Sequence, residues 1–232
     1  MVSKKLCIAL CMALIVGGCG TDTTVEKAMQ HMEEKYGKEF LPISYDHAAI
    51  LSATDTVECY TEDMDPDHER VFVDLEAANG KIVYHDSYFG YLVREEMEDQ
   101  IHNIIRKEFQ ECKVYRDNIN SVLPDDLTPE NDMEDFYKAN PSYRMCVKVY
   151  VKNEATITQS EFDDRMHGIE NELLALGKRY TLCLVVLPED VYKDVDRYSQ
   201  DEILNAVNRD SDIYFYEATI SNGEVRNYSA AQ

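Results

Sequence analysis

The stretch from Lys4 to Cys19 constrains this chain more than any other. Two lysines, Lys4 and Lys5, precede an unbroken apolar run of 11 residues, Leu6 to Val16, closed by Gly17-Gly18-Cys19. A run this short cannot span a bilayer, which takes about 20 apolar residues. A basic start, a short apolar centre and small residues ahead of a cut are the layout of a secretory signal. Residues 1–18 are therefore set apart from the fold, and about 214 residues remain to build it.

Loss of that segment removes two lysines and no acids, so the formal charge moves from −22 to about −24. Nucleic-acid binding needs clustered Lys and Arg to neutralise phosphates, and such a balance argues against it. The same charge repels the domain from an anionic membrane surface. Hydrophobic residues make up 44% of the chain, which is ordinary for a packed domain and too many for a disordered one. Tryptophan is absent and tyrosine abundant, with the tyrosines expected mostly at the rims of strands. Past Cys19 lie Cys59, Cys112, Cys146 and Cys183, an even number that leaves the disulfide state open. Cys146 and Cys183 fall in predicted strands and are expected as neighbours in one sheet. No CxxC and no Cys/His pair at zinc spacing is present.

The chain reads as α+β, in two small modules, each a helix packed on antiparallel strands with an Asn-Gly hairpin. Residues 19–24 are expected to be a short tether. The first module is expected over 25–116. Thr23 and Glu26 read as a capping box for a helix with Val25, Met29, Met32 and Tyr36 on one face, stopped at Gly37. An extended region from Leu41, then strands at Val57–Thr61, Val71–Leu75 and Lys81–His85, follow. Asn79-Gly80 is a type I′ hairpin signal. A long helix from Tyr91 to Cys112 turns Met97, Ile101, Ile104, Ile105 and Phe109 inward. Residues 117–142, rich in Asp, Asn and Pro, are expected to be an acidic linker with a short helix. The second module, 143–232, is expected to hold a strand at Arg144–Val151 and a helix at Gln159–Gly177. A central strand at Thr181–Leu187 and a helix at Gln200–Val207 follow, then a hairpin around Asn222-Gly223. The two Asn-Gly hairpins raise the idea of a duplication without settling it.

Several groups have the chemistry of a site. Asp63, Asp65 and Asp67 alternate ahead of His68 and Glu69 and could offer oxygens to a hard cation. An EF-hand would need glycine where His68 stands, and Pro66 intrudes, so an acidic loop is expected. Asp163, His167 and Glu170 share a helix face at i, i+4 and i+7, and Glu98 and His102 repeat the i, i+4 pairing. Asp46-His47 and His85-Asp86 are sequence neighbours, and neighbours on a strand do not make the contact that acid–base work needs. No nucleophile elbow, HExxH or phosphate loop appears. No catalytic residue, metal ligand or cofactor is therefore assigned, and the one site residue singled out is Cys19.

Val16-Gly17-Gly18-Cys19 resembles the lipobox of bacterial lipoproteins. The resemblance implies that Cys19 becomes the first residue of the mature chain and carries diacylglycerol. It also implies a protein on the extracytoplasmic face of the cell membrane. Val57-Glu58-Cys59-Tyr60, Val71-Phe72-Val73-Asp74 and Asn79-Gly80-Lys81-Ile82-Val83 look like a PepSY-type hairpin, a family that includes peptidase propeptides. That resemblance implies a surface peptidase as partner, with an edge strand near Val57 open to pairing. Glu34-Lys35-Tyr36-Gly37, His85-Asp86-Ser87-Tyr88-Phe89-Gly90-Tyr91 and Arg94-Glu95-Glu96 are similar to lipoproteins of clostridia-like Firmicutes, which implies a location and no activity. The expectation is a membrane-anchored, non-catalytic binding or interaction module, partnered by a surface protein or peptidase. An enzyme or metal-binding protein with an unrecognised site is the alternative.

Overall fold

The structure, a computed structural model, describes residues 21–47, 54–117, 127–154, 157–197, 199, 203 and 214–227. Helix α1, Thr21–Tyr36, opens the described chain. Nothing in Thr21-Asp22-Thr23-Thr24 breaks a helix, so the expected tether is helical from Thr21, and Thr23 is interior rather than a cap. Cys19 and the segment before it lie outside the described residues.

The first sheet orders β1 (Leu41–Asp46), β2 (Thr54–Tyr60), β3 (Val71–Ala78) and β4 (Lys81–Asp86) as β1-β2-β3-β4, all antiparallel. Its strands alternate. Val57, Cys59, Val71, Val73 and Leu75 face inward and pack with Ala28, Met29 and Met32 of α1, Phe40 and Tyr88. Asn79 and Gly80 both take positive φ, 52° and 75°, as the tight β3–β4 turn requires. Val57 lies in an interior strand. The edges are β1 and β4, so the expected open edge at Val57 is corrected.

The expected helix from Tyr91 to Cys112 is three elements. α2 spans Phe89–Leu92, α3 spans Arg94–Glu108, and Cys112–Arg116 is a strand, β5. Val93 breaks helical geometry between the helices, and Phe109 is already extended. The residues expected to face inward do so, but toward the second sheet. Phe89, Val93, Met97, Ile101, Ile105 and Phe109 belong to one core with Val147, Val149, Leu182 and Leu184. Tyr88 is the last buried residue of the first core and Phe89 the first of the second, with Tyr91 still packed against the first core.

The second sheet runs β5-β6-β7-β8-β9, with β6 Met145–Lys152, β7 Tyr180–Leu187, β8 Phe215–Ser221 and β9 Glu224–Asn227. Its pairs are antiparallel except β6–β7, which is parallel and is joined through α5, Gln159–Ala175. A parallel pair needs such a crossover. The nearly continuous apolar β7 is central, as its composition implies for a strand covered on both faces. On one face lie α3, α5 and the short α4, Met133–Ala139. On the other, Tyr150, Val185 and Leu187 meet Val195, Ile203 and residues of α6, Glu189–Asp194. Capping boxes fix two helix starts, Asp132 with Asp135 and Thr158 with Glu161. The helix expected at Gln200–Val207 lies outside the described residues except for Ile203, which is buried.

Candidate functional site

The candidate residues disperse rather than assemble. Asp63 accepts from the Thr61 hydroxyl at 2.6 Å and from Lys38 Nζ at 3.1 Å, which hold its carboxyl below the usual range. Asp65 turns back to the Asp67 N–H, and Glu69 pairs with Arg94. These acids stitch the β2–β3 loop and tie it to α3. Glu170 leaves its helix face for the core, where the Tyr216 hydroxyl donates to it. Asp163 and His167 stay exposed, and the His167 Nδ1 meets the Asp163 carbonyl of its own helix at 2.7 Å. His47 pairs not with Asp46 but with Asp55 across the strand pair, at 2.8 Å, beside the Tyr45 hydroxyl. His85 reaches Glu76, while Asp86 points the other way and takes Lys35, Tyr36 and the Tyr88 N–H. Among the described residues no group of three His, Cys, Asp or Glu stands where it could hold a metal ion.

The four cysteines past Cys19 are unbridged. Cys146 and Cys183 sit on adjacent strands, opposite Thr181 and Lys148, so they are neighbours in one sheet as expected. Burial pushes the Cys59 thiol up to about 12 and the Cys112 and Cys183 thiols up to about 11. Buried protonated thiols are poor nucleophiles.

Two concave regions of the second module are defined by the described residues. The first, about 320 Å³, lies between α3 and β5 and is lined by Glu95, Glu98, Asp99, His102, Lys113 and Tyr115. Its central acid is already engaged. Glu98 takes both nitrogens of Arg197, at 2.6 and 2.9 Å, and the Arg116 N–H at 2.6 Å. This bidentate clamp pins α3, β5 and the segment after α6 together. Lys113 is likewise engaged, by the Val195 carbonyl at 2.7 Å.

The second, about 380 Å³, lies at the end of the sheet where β6 and β7 begin and the β8–β9 turn returns. α4 contributes Tyr137 and Lys138, the approach to β6 contributes Tyr143, and Asn222-Gly223 closes one side. Gly177, at φ +66°, ends α5 and turns the chain so that Lys178 and Arg179 reach the rim. Among the described residues the lining carries Lys138, Lys178 and Arg179 and no carboxylate, on a chain of net charge −22. Lys178 lies 4.2 Å from the Tyr137 ring centroid and pairs with Glu134 at 2.9 Å. Lys138 pairs with Asp135 at 3.0 Å, with both partners exposed or nearly so.

Arg116 sits behind the tyrosine wall. It is 1% exposed, 5.5 Å from the Tyr143 ring centroid and 5.6 Å from that of Phe136. One nitrogen donates to the Gly90 carbonyl at 2.9 Å, while Nε and Nη2 have no partner. Burial lowers its pKa from the ordinary arginine value, but a guanidinium stays charged in such settings. Burial also raises Tyr137 to about 12 and Tyr143 further, so both rings enter as neutral phenols. The site therefore has neutral aromatic walls and a cationic rim, with a further cation behind. Sequence reasoning missed it, because its residues come from four separate segments. Gly177-Lys178-Arg179, adjacent cations after a helix-ending glycine, was the one local signal.

No protein family and no curated protein matches this chain. A crystal structure of a DUF5037 family protein from Ruminococcus gnavus is similar at 16% identity, covering 87% of this chain and 94% of that one, with a TM-score of 0.46.

Proposed function

We propose that this chain is a lipid-anchored extracytoplasmic binding module, held to the membrane through Cys19 and acting without catalysis. The layout of Lys4 to Cys19 supports the anchor. Two acyl chains on one cysteine hold stably where a single chain does not. The observation that carries the binding role is the concave site of Tyr137, Tyr143, Lys138, Lys178 and Arg179, whose lining is opposite in sign to the chain as a whole. Tethering raises the local concentration of the module at the membrane, so modest affinities become effective there.

Crosslinking on intact cells, with the full chain tagged at its C-terminus, tests this reading. Wild type is expected to recover at least one specific partner that Cys19→Ala, released from the membrane, does not. Identical recoveries from the two forms would count against a tethered binding role.

A further inference from the structure

We infer that the cavity between α4, the start of β7 and the β8–β9 turn binds a small organic anion, a carboxylate or phosphate carried on an aromatic or apolar body. The inference deepens the binding reading above and rests on it.

The charge argument is local. The lining supplies Lys138, Lys178 and Arg179. Two of these lean on carboxylates of α4, Glu134 and Asp135. Among the described residues Arg179 has neither an ion pair nor a side-chain hydrogen bond, although it is only partly exposed. That leaves one guanidinium fork available to a planar or tetrahedral oxyanion, the geometry Arg matches with paired N–H donors. The competing lysine pairs are weak. Exposed ion pairs contribute about 0–1 kcal/mol, so an entering anion displaces them at little cost. The acidic remainder of the surface is screened beyond about 8 Å at physiological salt, so the nearby cations decide what enters.

The walls select the body of the ligand. Tyr137 and Tyr143 offer ring surface, and Leu174 and Pro141 add apolar contact. Lys178 already lies over the Tyr137 ring, which holds its ammonium at the pocket's edge. Arg116 places a buried cation behind Tyr143, with two of its guanidinium nitrogens lacking hydrogen-bond partners. A volume of about 380 Å³ suits a drug-sized or smaller molecule rather than a macromolecule.

Calorimetry on the detergent-solubilised full chain tests this with phenyl phosphate, benzoate and neutral benzyl alcohol. Phenyl phosphate or benzoate is expected to bind below about 1 mM, more weakly at high salt, with benzyl alcohol at least tenfold weaker. The stronger of the two anions identifies the oxyanion. Arg179→Gln is expected to cost about tenfold or more, since a charge-assisted bond is removed. Lys138→Gln, at an exposed position that cannot unfold the core, is expected to cost a smaller factor. Arg226→Gln, on β9 and outside the lining, should bind as wild type does. Equal binding of benzyl alcohol, or no binding of either anion at 10-fold above that range, overturns the inference. So does binding that Arg179→Gln and Lys138→Gln leave unchanged. If no anion binds while crosslinking still recovers a partner, the ligand class is wrong and the binding role stands. Failure of both removes both.

Discussion

Asp86→Asn probes the polar knot that closes the first module. Asp86 is 2% exposed and accepts three bonds, each of 2.8 Å, from Lys35 Nζ, Tyr36 Oη and the Tyr88 N–H. Through them it joins the end of α1 to the end of β4 and to the residue where the two cores meet. An amide oxygen can still accept from Tyr36 and Tyr88, which share one oxygen of Asp86. The amide nitrogen, however, would face the Lys35 ammonium, donor against donor. Removing one member of a buried ion pair costs about 3–5 kcal/mol, and the two retained bonds select the low end, about 3 kcal/mol. With a urea slope of about 1.5 kcal/mol/M for a module of this size, the first module's midpoint should fall by about 2 M. Adding Lys35→Met removes the ammonium that the amide nitrogen opposes, and the double variant should recover at least half of the loss. The readout is urea unfolding followed by circular dichroism and tyrosine fluorescence. A fall of less than about 0.3 M, or a double variant whose loss equals the sum of the singles, would refute the buried-pair reasoning.

Gly80→Ala and Gly223→Ala place a side chain at φ +75° and +79°. Each should cost about 1 kcal/mol in urea unfolding, and no cost at either would mean that the turn relaxes. Arg116→Met keeps an unbranched stem and removes two unpartnered donors, so its stability should lie within about 1 kcal/mol of wild type. Arg116→Ala should lose about 2–4 kcal/mol through the cavity it opens. Cys59 keeps its proton in the fold up to about 12, whereas the unfolded thiol ionises near 9.0. The stability this confers is fully present below pH 9 and is lost as pH rises toward 12. Between those values wild type should lose about 1.4 kcal/mol per pH unit more than Cys59→Ala, and equal slopes would show that the thiol is not held neutral.

Local rules made parts of this fold legible. The Asn-Gly pairs at Asn79 and Asn222 are turns because both residues of each pair need positive φ and these residues accept it. The apolar stripes of α1 and α5 and the solid apolar run of β7 showed which faces are buried. What stayed hidden depends on partners distant in sequence. The stripe of α3 is the same whichever sheet it covers, and only tertiary packing chooses the second. β5 alternates Cys112, Val114 and Arg116 inward, and an arginine at the third core position conceals the strand. The parallel β6–β7 pair leaves no mark distinct from an antiparallel one. The basic cavity draws on α4, the approach to β6, the α5–β7 turn and the β8–β9 turn, and no window of sequence holds them together. The sequence rightly kept His47 apart from its neighbour Asp46, but its partner across the strand pair, Asp55, was not legible there.

The central claim is that this module works while tethered through Cys19. Mass spectrometry of the protein extracted from cell membranes addresses it most directly. The account predicts a chain that begins at Cys19 and carries diacylglycerol on its sulfur, with Cys19→Ala shifted out of the membrane fraction. A chain recovered from the soluble fraction, beginning at Met1 with Cys19 unmodified, would contradict it.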